Sequence, residues 1–286
     1  MNVPSTWPGG QKIAVSVTLM FETWSETGAP GYSVQSSGRK PGFVNYGGQA
    51  WASYGGHVGV WRLLDVLDRQ KVPGTFFVSG KCTEDYPDTV REIVKRGHDV
   101  GAHSYVQDES EFFGYLTAEQ QRETIRKSIE SLSSFTGQMP TGWSTPGMSL
   151  SPHTNALLAE AGLKWHTDVN YTDLPHVLEM PAGQIAAVPT SDFADLRVLQ
   201  ANVRDFFDAY RAMIEHLERQ DEIGMVSLVI HCLFGGRPLI AGVLEDLLAY
   251  FRSHPNIWIT RHDELAQWAF ENTISLRDVT TRFKRR

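Results

Sequence analysis

Three side chains with acid–base chemistry stand where apolar runs of the chain stop. Ile13 to Met20 leads into Phe21-Glu22-Thr23, His98 to Ala102 leads into His103-Ser104, and Leu228-Val-Ile leads into His231-Cys232. A short apolar run bounded by turn residues reads as a buried parallel strand, and ligands in α/β proteins meet the chain just past the carboxyl ends of such strands. One carboxylate and two imidazoles gathered there are the parts of a general acid–base site. Taken singly, a histidine after a strand is more often a hydrogen-bonded structural residue. Three such ends in one register carry more weight.

The elements that must position these groups alternate along the chain. Val60-Trp-Arg-Leu63-Leu64 has helical spacing and Pro73-Gly74 stops it before Thr75-Phe-Phe-Val78. A helix over about 86–96 precedes the run at 98–102. Thr117 with Gln120 forms a capping signal that opens a helix to about Phe135. Strands follow at Thr141–Trp143, Leu163–Asp168, Gln184–Val188, the His231 run and Ile257–Thr260. Helices follow at 151–162, 205–219, 239–252 and from Asp263. Seven or eight strand–helix units with no composition break predict one α/β domain over residues 1–286; a (β/α) barrel explains them better than two domains, and a doubly wound open sheet is the alternative. In a barrel, Glu22, His103, Trp143, Asp168, Asp192 and His231 would share one mouth. Residues 24–56, rich in glycine and aromatics and without helical period, read as a long loop, either a lid or subunit contact or a variable surface insertion.

Bulk properties exclude several classes. A hydrophobic content of 41% with 21% charged residues fits a folded globular protein, and a net charge of −7 gives no footprint for nucleic acid or anionic membrane. Two cysteines in 286 residues argue against a disulfide framework or a paired-cysteine metal site. No apolar run approaches the ~20 residues of a membrane helix and no signal-peptide pattern opens the chain, so a cytoplasmic protein is expected. Cys232 follows His231 but points to the opposite face of a strand, which favours a buried structural role over a nucleophile.

The segments Thr18-Leu-Met-Phe-Glu22-Thr23, Gly101-Ala-His103-Ser104-Tyr105, Pro140-Thr-Gly-Trp143 and Leu228-Val-Ile-His231-Cys232 resemble, in order, the motifs of the polysaccharide deacetylase (NodB-homology) superfamily. Trp7-Pro8-Gly9, Gly59-Val-Trp-Arg-Leu-Leu64, Thr136-Gly-Gln138, Asp173-Leu-Pro175 and Gly236-Arg237-Pro238 resemble its allantoinase-like, cyclic imide hydrolase branch. The resemblance implies a distorted (β/α)7-type barrel in an oligomeric enzyme. It also exposes a departure. Family deacetylases carry an Asp-Asp pair and two histidines four residues apart, and those places here hold Glu22, Thr23, His103 and Gln107. Zinc-like ions want about three N, O or S ligands from the protein. One histidine with a hydroxyl and an amide is a poor set, with Asp108 or Glu109 the replacements that could swing in.

Without a metal or other cofactor, a cyclic imide or ureide such as allantoin yields to activated water more readily than an acetamide. The expectation is therefore hydrolysis of a small cyclic amide. Glu22 would be the general base, His231 the acid on the leaving nitrogen and His103 the group orienting Glu22 or water. Backbone N–H groups near Ser144 to Gly147, or the Gly235-Gly236 turn, would form the oxyanion site, with Trp143, Thr145, Asp168 and Arg237 around the substrate. For Arg237 a structural ion pair is an equal alternative. The competing readings are a metal-dependent N-deacetylase of an amino sugar or glycan and a non-catalytic ligand-binding barrel. A homo-oligomer is expected, with residues 273–286 either a subunit contact or a solvated end.

Overall fold

The computed structural model describes residues 4–34, 43–198 and 202–272; the 273–286 tail and part of the 24–56 loop lie outside them. Nine strands form one sheet: β1 (Ile13–Phe21), β2 (Thr75–Val78), β3 (Asp99–Ala102), β4 (Gly142–Trp143), β5 (Trp165–His166), β6 (His176–Met180), β7 (Gly183–Ala187), β8 (Gly224–His231) and β9 (Ile257–Thr260). Their order is β6-β7-β5-β4-β3-β2-β1-β8. The path from β7 to β8 is parallel throughout, and β6 alone pairs antiparallel. One edge of β1 is shared, with Ile13–Ser16 paired to β9 and Thr18–Phe21 paired to β2. The sheet therefore curls into an open, distorted (β/α) barrel in a single α/β domain.

Strand periodicity sorts the core into two layers. On β1, Ile13, Val15, Val17, Leu19 and Phe21 pack outward among the helices, while Ala14 and Met20 face the barrel interior with Phe77, Trp165 and Val229. Thr18 on the inner face bonds Ser227 Oγ at 3.0 Å and His262 Nε2 at 3.3 Å, satisfying polar groups that burial would otherwise leave stranded. The end of the barrel away from the strands' carboxyl ends is closed by the 262–271 helix and by Trp7. The Trp7 indole donates to the Gly224 carbonyl at 3.0 Å and packs against Trp258 and Trp268.

Most predicted elements are present. The 118–136 helix carries the full Thr117–Gln120 capping box and ends at Gly137 in the left-handed region. Among the longer elements, two differ from the sequence reading. The 24–56 loop contains a helix at Tyr46–Tyr54, capped by the Asn45 side chain. Its Gly-rich sequence has poor helix propensity, and packing of Trp51 and Ala52 against Trp24 and Leu233 overrides it. The hairpin arm β6 was also unforeseen, because Pro181-Ala182 lacks the glycine signal of tight hairpin turns. No helix among the described residues is long and apolar enough to cross a membrane.

Candidate active site

Register places the site. Phe21 pairs with Val78, Val78 with Ala102, Ala102 with Trp143, and Trp143 with His166. These residues sit at one height, and the next residue on each strand turns to the opposite face. Glu22, Ser79, His103, Ser144 and Thr167 thus form a row at the barrel mouth. His231 is level with Met20 on the neighbouring strand and shares its inward face. A cavity of about 440 Å³ opens over this row, with Glu22, His103, Ser144, Thr145, Thr167 and His231 in its wall.

Glu22 and His103 are buried side by side, with Oε1 3.4 Å from Nε2. The other ring nitrogen lies 2.7 Å from the Ser144 carbonyl. A carbonyl only accepts, so Nδ1 carries a hydrogen, and Nε2 with Oε1 can hold one further proton between them. Tyr32 donates its phenol to Glu22 Oε2 at 3.0 Å. Burial opposes ionisation of Glu22, but His231, then the His103 ring and the Tyr32 phenol outweigh it and hold the carboxyl below its ordinary value.

His231 has its own carboxylate. Asp195, wholly buried, takes Nδ1–H at 2.7 Å on one oxygen and the His231 backbone N–H at 2.9 Å on the other. Burial disfavours the imidazolium, yet the Asp195 charge, followed by that of Glu22, raises the His231 pKa. Burial likewise raises that of Asp195, against the pull of His231. Fixing Nδ1 leaves Nε2 as the nitrogen that can exchange a proton with substrate.

The loop after β4 supplies the facing wall. Asp168 accepts from Thr145 N–H at 2.7 Å and from Thr145 Oγ1 at 2.5 Å, while the Trp143 indole donates to the same hydroxyl at 3.0 Å. Burial pushes Asp168 up to about 6, moderated by the two Thr145 bonds. Gly147 and Met148 follow with φ of 58° and 51°, and Ser104, next to His103, has φ 57°. Left-handed backbone at non-glycine residues costs of order 1 kcal/mol or more and clusters at functional sites.

Not every predicted residue reaches the cavity. Trp143 lies on the outward face of β4 against Phe113, because its partner Ala102 faces outward too. Asp168 is behind the wall and acts on Thr145, whose polar groups it occupies. Arg237 stacks on Tyr54 and Trp51 at 4.3 and 5.3 Å and donates to the Trp51 carbonyl, away from the cavity. The Gly235-Gly236 turn is packed under Gly59, with the Gly236 carbonyl taken by Arg62. Cys232 is fully buried on the outward face with its thiol pushed up by burial.

Residues 54–166 match the polysaccharide deacetylase family. The likeness to that family lies in this stretch of the chain. A peptidoglycan deacetylase of Helicobacter pylori is 33% identical over 120 residues, which is 42% of this chain and 40% of that protein. Structural likeness runs further. PuuE allantoinase superposes with a TM-score of 0.84 at 27% identity, covering 96% of each chain. A probable polysaccharide deacetylase of Pseudomonas aeruginosa PAO1 gives 0.83 at 28% identity, over 96% of this chain and 97% of that one.

The family domain's metal positions do not fit a metal here. Thr23 Oγ1 donates to Asp85 at 2.8 Å, and Gln107 Nε2 donates to the His103 carbonyl at 2.7 Å and to Ser79 Oγ at 3.0 Å. The Asp108 carboxylate, a possible substitute ligand, accepts from Ser25 N–H instead. Among the described residues no group of three or more His, Cys, Asp or Glu is arranged to hold an ion. The sequence reading passes over Asp195 and counts Tyr32 only among the aromatics of the 24–56 loop. Asp195 lies in no strand and Tyr32 in a loop, so neither bears a periodic signal; an acid needed behind His231 was the clue available.

Proposed function

We propose that this protein hydrolyses a ring C–N bond of a small cyclic amide, imide or ureide, using water activated by side chains. The observation that carries the reading is the placement of Glu22, beside His103 and bonded by Tyr32, together with His231, bonded to Asp195, around one cavity. Glu22 takes the proton of the attacking water at Oε1, where His103 Nε2 can share it. His231 gives its Nε2 proton to the departing ring nitrogen, and the Asp195 carboxylate stabilises the imidazolium that donates it. The loop at 145–148 has its Thr145, Met148 and Ser149 N–H groups engaged internally, so the N–H of Gly147 is the donor it offers to the developing oxyanion. The whole-length likeness to PuuE allantoinase supports the ring-opening chemistry. The Helicobacter pylori relative favours a second reading, deacetylation of an N-acetylated sugar.

The test is turnover of succinimide, hydantoin and allantoin beside N-acetylglucosamine oligomers, with and without chelator, in wild type and E22Q. Chelator-resistant ring opening that E22Q lowers by about 10²–10⁴-fold is expected. Release of acetate from the sugars with no ring opening would establish the second reading.

A further inference from the structure

The cavity holds more than the ring chemistry requires. At its floor are Glu22, His103 and His231; at its rim is Arg197, whose side chain is exposed. The walls between include Met20, Met148, Ala194, Leu196 and Val229, and about 440 Å³ is far more room than one five-membered ring fills. Arg197 donates Nε–H to the Asp192 carbonyl at 3.2 Å. Among the described residues that is the one bond its side chain makes, which aims the guanidinium and leaves both terminal amino groups for a ligand. Among the described residues no carboxylate forms an ion pair with it, whereas the other cation of the cavity, His231, is bonded to Asp195.

Arg197 and Asp195 belong to the same short 3₁₀ turn, Asp195–Val198. Asp195 turns inward to the catalytic histidine and Arg197 outward to the rim, so one turn fixes both the acid and a second recognition point. We infer that Arg197 binds a carboxylate on the substrate, and that the ring opened here carries an anionic substituent. This rests on the ring-opening reading above. A guanidinium fork matches a carboxylate in two parallel hydrogen bonds, and its place at the rim keeps the anion off Glu22. Asp192 lines the cavity as well, and its carboxylate accepts from Asn170 Nδ2 at 3.0 Å.

The experiment compares succinimide with succinimide bearing a carboxymethyl group on a ring carbon, in wild type, R197Q and R197K. Wild type is expected to favour the anionic ring by at least about tenfold in kcat/KM. R197Q should lower that value about 30-fold, chiefly through KM, and change succinimide by less than about twofold; R197K should recover part of the loss. Equal turnover of the two rings by wild type, or an equal loss on both in R197Q, overturns the inference. Calorimetric binding of the carboxymethyl ring separates it from the reaction proposed. Binding that depends on Arg197 without turnover of either ring keeps the carboxylate site and refutes ring opening. Absent or Arg197-independent binding refutes the carboxylate site.

Discussion

Replacing Asp195 by Asn tests whether His231 is a general acid or a structural histidine. The carboxylate receives two donors, the His231 ring N–H at 2.7 Å and its backbone N–H at 2.9 Å. An amide has one oxygen, so it accepts from one donor and turns its NH2 against the other. The charge that raises the His231 pKa also disappears. Exchanging charge-assisted bonds for one neutral bond costs the imidazolium about 2–3 kcal/mol, which is roughly 30- to 150-fold in rate. The sign in pH follows. An acid works while protonated, so kcat falls as pH rises through the His231 pKa; Asp195 raises that pKa, and D195N moves the falling limb to lower pH. The rising limb, set by Glu22, should move much less. The assay is kcat against pH on the best ring substrate, with circular dichroism and thermal melting as a check on folding. A D195N protein that is folded, within threefold of wild-type kcat and unshifted on its falling limb would refute the assignment of His231 as acid.

Other consequences are open to direct measurement. Y32F removes one of the bonds that hold Glu22 low, so kcat should drop about fivefold and the rising limb should move to higher pH; an unmoved limb would mean that the phenol does not act on Glu22. Asp99, pushed up to about 6 by burial and then by Asp263, contributes stability that is full below its unfolded value of 3.8 and lost as pH rises through about 6. Urea titrations at pH 4, 5.5 and 7 should therefore show wild type losing roughly 2–3 kcal/mol more than D99N over that range, and parallel profiles would count against it. A methyl group on Gly59 would stand 2.0 Å from the Cys232 carbonyl oxygen, so G59A should destabilise by more than about 3 kcal/mol, whereas G242A, with open space around it in the helix at 238–252, should be neutral or slightly stabilising. Comparable melting temperatures for the two variants would show that the Gly59 contact relaxes freely.

The alternation of strands and helices was readable because buried parallel strands and amphipathic helices leave local signatures, and the strand ends gave Glu22, His103 and His231. What a single strand does not reveal is its facing, and the misplacement of Trp143 shows the cost. Next to an inward glycine, Trp143 belongs to the outward set with Phe21, Val78 and Ala102, and only the register across four strands makes that plain. The same register that displaces Trp143 promotes Ser144 and Thr167 into the cavity wall. Parity applied to Cys232 alone separates it from His231; applied along the whole row, it selects the inward residue at each strand end. Asp195 and Tyr32 escape even that rule, since they come from segments with no period and reach the site by long-range packing. Their positions follow from chemistry instead. A buried imidazole that must carry charge needs an acceptor on its second nitrogen, and a buried carboxylate that must stay ionised needs donors. Asp195 and Tyr32 supply those two needs, which is why His231 and Glu22 each stand on a partner that strand patterning could not disclose.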